Sequence, residues 1–227
     1  QLFYLEKYFI KNKIKNISIK KKFLFFTIFI LFYTVFYLFI KKGVGNDTSI
    51  SEWLINYNGG FTRRGLGGEI SIFLANFFLI PLRDSIFLLQ TIIHTSYLFL
   101  LFLYIRNIRL DIIQIFAIFS PLFLLYPIAE LEALGRKELL IFLFFICSLF
   151  LCEKKYKPIF INSFIFIFFP LLCFIWEQVI LFAPFFAVLL IIKNKFLNFK
   201  ETFIKLLVIF LPSIVAISII FSFPLTQ

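Results

Sequence analysis

Residues 20–47 read KKKFLFFTIFILFYTVFYLFIKKGVGND. From Phe23 to Ile40 no residue is charged, and lysines close the run at both ends. A bilayer core about 30 Å thick takes roughly 17–25 helical residues per crossing, so this stretch reads as a membrane span. The same pattern recurs at Ser85–Ile105, Ile112–Ile128 and Thr202–Phe223. It returns in shorter form at Leu139–Cys152, Ile159–Ile175 and Val179–Ile192, runs that can borrow flanking residues or thin the bilayer locally. Composition excludes a soluble globule: 62% of residues are hydrophobic, 15% are charged, and Phe alone occurs 38 times. A soluble domain holds about 45–50% apolar and about 25% charged residues. The expected fold is an all-α, polytopic transmembrane helical bundle of about seven spans.

One run, Ile70–Ile80, is ambiguous by length, and charge decides it. If it crosses, the basic cluster at 153–157 falls outside, against the Lys/Arg bias of cytoplasmic loops. If it lies in the interface, sixteen of the 23 Lys and Arg residues fall inside and eight of the 12 acids fall outside. That topology puts a basic segment, 1–22, in the cytoplasm, followed by a transmembrane domain, 23–227. The overall charge of +11 is then a topology and anionic-lipid signal, which makes membrane lipids the partners and leaves no role for nucleic acid. With no Met at position 1, the chain reads as a processed product or a fragment of a longer one. Cys147, Cys152 and Cys173 lie in or at the ends of apolar runs, without paired spacing, and read as small buried hydrophobes.

Nearly all unusual polar residues fall in three external segments. The first, 41–84, holds Lys41-Lys42-Gly43-Val44-Gly45-Asn46-Asp47 and then Ser49-Ile50-Ser51-Glu52, which matches a capping box. A helix over 50–57 would put Trp53, Leu54 and Tyr57 on one side, in the headgroup layer, and stop at Asn58-Gly59-Gly60. Phe61-Thr62-Arg63-Arg64-Gly65-Leu66-Gly67-Gly68-Glu69 follows, then a second interfacial helix over 70–80 with Ile70, Phe73, Leu74, Phe77 and Phe78 on one face. Arg63 and Arg64 among five glycines beside a helix start suit a phosphate or diphosphate. The alternative is a flexible connector whose arginines bind headgroups. Asp47, just beyond the first span, is either a helix cap or an acid/base or metal-binding carboxylate whose value burial would raise.

The second segment, 129–138, carries Glu130, Glu132, Arg136, Lys137 and Glu138. Glu130 or Glu132 could partner Asp47, and Arg136 and Lys137 could hold a phosphate; a plain solvated loop is the other reading. Glu138 is expected to pair locally with a base. The third segment is the turn Trp176-Glu177-Gln178, with Trp176 as an interfacial anchor and Glu177 exposed. Within the spans, Gln90, Thr91 and His94 share a helix face and suit interhelical hydrogen bonds. No P-loop, GxSxG or HExxH motif and no internal repeat occurs.

This layout resembles the amino-terminal half of the GT-C glycosyltransferases, membrane enzymes that take sugars from polyprenyl-phosphate carriers. The likeness rests on a first span leading out of the cytoplasm, Asp47 early in a long external segment, two helices within that segment, and the acidic loop with Glu130 and Glu132. It implies a bacterial cytoplasmic membrane enzyme of the cell envelope with a polyprenyl-phosphate-linked sugar as substrate. It further implies Asp47 as catalytic or metal-binding carboxylate, Glu130 or Glu132 as second-loop acid, and a divalent cation (Mg or Mn) as possible cofactor. The phosphate assignments to Arg63, Arg64, Arg136 and Lys137 come from this chain alone. The rivals are a lipid-linked glycan polymerase or flippase, a secondary transporter, and a non-catalytic membrane subunit.

Overall fold

The computed structural model describes residues 2–44, 47–106, 108, 113, 114, 117, 120, 130–153, 155–194 and 198–223. Side chains are described from residue 21 onward, Leu131 apart. Among these residues there are eight α-helices and no strand. They are α1 (Leu2–Gly43), α2 (Thr48–Leu54), α3 (Leu66–Phe78), α4 (Leu82–Ile105), α5 (Leu139–Leu151), α6 (Pro158–Ile175), α7 (Ala183–Asn194) and α8 (Phe199–Ser222). Two 3₁₀ turns, Leu131–Ala133 and Glu177–Phe182, complete the set. Five segments are long and apolar enough to cross a membrane: Lys21–Gly43, Leu82–Ile105, Pro158–Ile175, Glu177–Asn194 and Phe199–Ser222. The chain is an integral membrane protein.

Helix α1 shows how the sequence builds this bundle. Phe23, Thr27, Ile30, Thr34, Leu38 and Lys41 are all buried, at the three- and four-residue spacing of one helix face. That face packs on α4 through Leu98, Leu101 and Ile105. The other face presents Phe25, Phe29, Phe32, Phe36 and Phe39 outward, where lipid would be the solvent. A larger core gathers Phe144 of α5, Ile165 and Phe169 of α6, Phe186 and Leu190 of α7, and Phe210 and Ile220 of α8. Lipid tails are as apolar as these side chains, so close packing and interhelical hydrogen bonds hold such a bundle together. The reciprocal amide bonds between Asn162 of α6 and Asn194 of α7, 3.2 and 3.0 Å, are one example.

Several expected boundaries change. Residues 2–22, read as a basic cytoplasmic segment, continue α1 as helix. The expected span over 112–128 lies outside the described residues apart from single positions. Leu139–Leu151 is only 13 residues, about 20 Å of helix, and falls short of a full crossing. The apolar run over 179–192 begins as the 3₁₀ turn and joins α7 in one 18-residue segment. The helix expected over 50–57 runs from Thr48 to Leu54, because Asp47 caps it earlier and Ile55 turns extended before the Asn-Gly-Gly stop. The helix expected over 70–80 starts at Leu66 and takes Gly67 and Gly68 into its first turn.

Helix α3 buries Gly67, Gly68, Ser71 and Ala75 and leaves Phe73, Phe77 and Phe78 outside. The small face is what lets α3 approach its neighbours: a Cβ on Gly68 would sit 2.1 Å from the Ile55 carbonyl oxygen. Between α4 and α5 lies an apolar cavity of about 390 Å³, lined by Tyr97, Leu101, Phe142 and Leu149 among others. No charged side chain borders it among the described residues.

Candidate functional site

The polar segments around α2 meet at one end of the bundle, in two clusters. The first is a clamp. Lys41 is only 9% exposed at the end of the buried stripe of α1. Its ammonium donates to Ser49 Oγ at 3.2 Å and to the Leu134 carbonyl at 3.0 Å, and pairs with Asp47 Oδ2 at 3.3 Å. Asp47 is the N-cap of α2: its Oδ1 accepts from the Ile50 amide at 3.1 Å and from the Ser49 hydroxyl. Burial pushes the Asp47 carboxyl up, but the Ser49 and Ile50 hydrogen bonds and the Lys41 charge outweigh it and leave it below the ordinary aspartate value. The expectation of a raised Asp47 is therefore reversed.

The loop facing the clamp is pinned at Gly135. Its carbonyl accepts from Trp53 Nε1 at 2.8 Å and from Gln90 Nε2 at 2.9 Å. At φ +86°, with a Cβ that would lie 2.7 Å from Gln90 Nε2, position 135 has no room for a side chain. Trp53 is thus buried at 1% exposure and fastens the loop, where an interfacial anchor was expected. Gln90 makes the bond from a span that its helix face suggested, although its partner is a loop carbonyl. His94 Nδ1 meets the Gln90 carbonyl at 3.0 Å.

The second cluster centres on Lys137, 1% exposed. Its ammonium donates to the Arg64 carbonyl at 3.0 Å and lies 5.6 Å from the centre of the Trp53 ring. Gly67 makes the space, since a Cβ there would be 3.2 Å from Lys137 Nζ. Desolvation pulls this ammonium down to about 8. Arg64 sits at φ 65°, a left-handed backbone uncommon outside glycine. From there its carbonyl meets Lys137 and its guanidinium forks onto Glu177, with Nε to Oε2 at 2.8 Å and Nη2 to Oε1 at 2.6 Å. Glu177, expected exposed, is a partly buried partner in this pair, and the Trp176 side chain is buried beside Phe182.

Around this pair stand charged groups with much less support. The Arg63 guanidinium lies 4.9 Å from the Phe221 ring centre, and its Nε is buried without a partner among the described residues. Arg136 Nε and Glu138 Oε2 are buried and unpartnered in the same way, so the local pairing expected for Glu138 does not form. Glu52, half-buried on α2, makes no hydrogen bond and no ion pair among the described residues. Its carboxyl is raised, chiefly by burial and then by Glu138, against the pull of Arg136, Lys137 and Arg64. Buried polar atoms are almost always satisfied, so Arg63 Nε, Arg136 Nε and Glu138 Oε2 stand out among the described residues.

Of the expected site residues, Arg64, Arg136 and Lys137 come together, and Arg63 adjoins Arg64 in the chain with its side chain on Phe221. Asp47 lies in the clamp, joined to the same loop by Lys41. Glu130 and Glu132 are exposed on either side of Leu131, at and within the first 3₁₀ turn, and neither side chain holds a hydrogen bond or ion pair among the described residues. Sequence reasoning overlooked Lys41, which looked like a span flank, and assigned Glu52 to a capping box that Asp47 in fact supplies. For Glu52 the available signal was its place one residue before Trp53, on the face turned to the Arg-Lys-Glu loop.

The donor set does not fit a divalent cation at Asp47. Among the described residues no three His, Cys, Asp or Glu side chains lie close enough to share one, and the Lys41 ammonium already supplies the positive charge. The fold and these clusters define an all-helical membrane protein with a charged, partly buried site where its polar segments meet. Compared with family models, curated proteins and solved structures, the chain matches none of them.

Proposed function

We propose that the chain is a membrane glycosyltransferase of the GT-C kind, or the membrane part of one, which moves a sugar from a polyprenyl-phosphate carrier to an acceptor at the extracytoplasmic face. The observation that carries the reading is the convergence of three polar segments on Lys137: a buried ammonium beside Arg64 and the first turn of α3, with Arg136 Nε and Arg63 Nε lacking partners among the described residues. A phosphate on a lipid carrier is the anion such a membrane-embedded cation cluster suits, because it brings charge to the bundle while its tail stays in the bilayer. Arg136 and Lys137 would stabilise the negative charge that develops on the phosphate oxygen as the sugar departs. Arg64 and Arg63 complete the positive field, Arg64 with its guanidinium shared with Glu177.

In this reading the carboxylates of the face handle the acceptor. Asp47, kept ionised by Lys41, and the exposed pair Glu130 and Glu132 are the acids the resemblance names for that role. The N-terminus lies in the cytoplasm, with α2 and α3 as interfacial helices. The decisive experiment measures binding of a polyprenyl phosphate to the purified chain in nanodiscs, for wild type and Lys137→Met, followed by sugar transfer in membranes from cells expressing the protein. Lys137→Met is expected to lose binding at least tenfold. Equal binding by the two proteins would remove the phosphate site from the reading.

A further inference from the structure

Helix α5 begins at the charged cluster and runs past an apolar cavity. The amides of Leu140 and Ile141 donate to the Lys137 and Glu138 carbonyls at 3.0 and 3.1 Å, so Lys137 stands in the turn that opens the helix. Farther along, Phe142, Phe145 and Leu149 form one wall of the 390 Å³ cavity, and Tyr97, Leu101 and Tyr104 of α4 form the other. At about 1.5 Å per residue, Phe142 lies about 8 Å from Lys137 along the helix and Leu149 about 18 Å. Helix α4 is tied to the same cluster about two turns before Tyr97, where Gln90 Nε2 donates to the Gly135 carbonyl at 2.9 Å. Cavity and cluster therefore share both helices and follow one another along them.

We propose that this cavity holds the hydrocarbon chain of the lipid phosphate whose headgroup binds at Lys137 and Arg136. The inference rests on reading the cluster as a phosphate site and adds a site for the rest of the same molecule. The lining selects a hydrocarbon, since no charged side chain borders the cavity among the described residues. Apolar cavities of about 150 Å³ stay dry and take up small apolar molecules, and this one falls among ligand sites of about 300–1,000 Å³. Phe142 both lines the cavity and is 45% exposed on the outside of the bundle, so a chain enters sideways from the bilayer. The Lys137 ammonium, with three donors, makes one hydrogen bond to protein and is left to bind an anion. An anionic head on an apolar chain meets both features at once.

The two faces of α5 differ in how they are closed. On one, Phe144 stacks on Phe164 at 4.6 Å between ring centres and meets Phe186 at 5.1 Å, and no cavity is left. On the other, Tyr97 and Phe142 stand 6.4 Å apart across the cavity, and Tyr104 is set against Phe150 at 5.8 Å. A chain in the bilayer is already among apolar neighbours, so water release adds nothing when it enters. What it gains is closer contact with α4 and α5, together with the pairing of its phosphate. The cavity therefore discriminates by chain length: a chain too short to pass Phe142 gains only the headgroup contacts.

The test measures binding to the protein in phosphatidylcholine nanodiscs of two phosphates that differ in chain length. One is a polyprenyl phosphate doped into the bilayer; the other is prenyl phosphate, a single isoprene unit too short to reach Phe142. Leu149→Trp sets a bulky ring in the end of the cavity far from Lys137 and leaves the cationic cluster untouched. It is expected to weaken the polyprenyl phosphate about fivefold and leave prenyl phosphate unchanged, whereas Lys137→Met weakens both. Should Leu149→Trp fail to fold, Tyr104→Trp fills the cavity from α4 and is read in the same way. If wild type binds only the long ligand, a loss of that ligand in Leu149→Trp at an unchanged thermal midpoint supports the inference. Unchanged binding of the long ligand by the cavity variant, or equal losses for both lengths, overturns the cavity as the chain site while leaving the phosphate site standing. Binding of neither phosphate by wild type, or of both undiminished by Lys137→Met, overturns the phosphate site and the inference together.

Discussion

The two ends of α2 make opposite use of the same chemistry. At Asp47, a carboxylate and a buried lysine face each other with every strong bond made: Lys41 reaches three oxygens and Asp47 receives a backbone amide. At Glu52, five residues on, a carboxylate and a buried lysine share one neighbourhood without touching, and Lys137 spends its single hydrogen bond on a backbone carbonyl. Burying a charge is costly unless it is paired and hydrogen-bonded. The first arrangement meets that condition and fastens α1, α2 and the 130–138 loop together. The second leaves it unmet among the described residues. The lesson is that a carboxylate's place in the chain says less about its work than the number of its partners.

Breaking the clamp is expected to have the largest effect on folding. Lys41→Met removes the ammonium and leaves Asp47 and the Leu134 carbonyl without it, at a cost of about 3 kcal/mol, read as a fall in thermal midpoint in detergent. A double-mutant cycle with Asp47→Asn should return a coupling of about 1–3 kcal/mol, since the two act as one unit. Gly135→Ala comes next, at about 2 kcal/mol, because its left-handed backbone and the Gln90 amide both exclude a Cβ. Equal stability of this variant and wild type would detach the loop from the clamp.

Lys137→Met sharpens the contrast from the other side. Replacing a buried charge with an apolar side chain of similar length is often neutral or stabilising, so the midpoint should hold or rise while phosphate binding is lost. A steep fall in midpoint would make Lys137 a second fastener. The pH dependence carries a sign. Lys137 is lowered from 10.5 to about 8, so the folded chain resists protonating it. Its cost to stability is present in full below about pH 8 and is relieved as pH rises toward 10.5, where unfolded lysine loses its proton. Wild type should therefore gain on Lys137→Met through that window. Asp47 runs the other way: its lowered value gives stability that is present above the ordinary aspartate range and disappears as pH falls through it. The smallest effect belongs to Glu201→Gln on α8, whose exposed pair with Lys205 should be worth less than about 0.5 kcal/mol.

How much could be read beforehand differs by kind of residue. The spans at Phe23–Ile40, Ser85–Ile105 and Thr202–Phe223 were legible because a lipid solvent forces long apolar helices, and α1, α4 and α8 cover them apart from the terminal Phe223. The cationic residues Arg63, Arg64, Arg136 and Lys137 were legible as a set because the charge sorting puts their segments on one side of the membrane. Their partners were not. Nothing in the spacing of Glu177, 113 residues from Arg64, marks it as the other half of a forked ion pair. Trp53 and Trp176 were read as facing lipid headgroups, and in both the side chain is buried against protein. Asp47 and Glu52 were separable only by counting hydrogen bonds, which depend on where Lys41 and the 130–138 loop arrive.

The sequence by itself determined an all-helical membrane protein, because 62% apolar residues in long uncharged runs admit no other solvent and no other hydrogen-bonded backbone. Only the tertiary structure decided which charges are paired across the bundle and which lack direct partners among the described residues. Helical periodicity orders neighbours within one turn or two, whereas Lys41 to Leu134, Trp53 to Gly135 and Lys137 to Arg64 are contacts between segments that only the packing of the helices brings together.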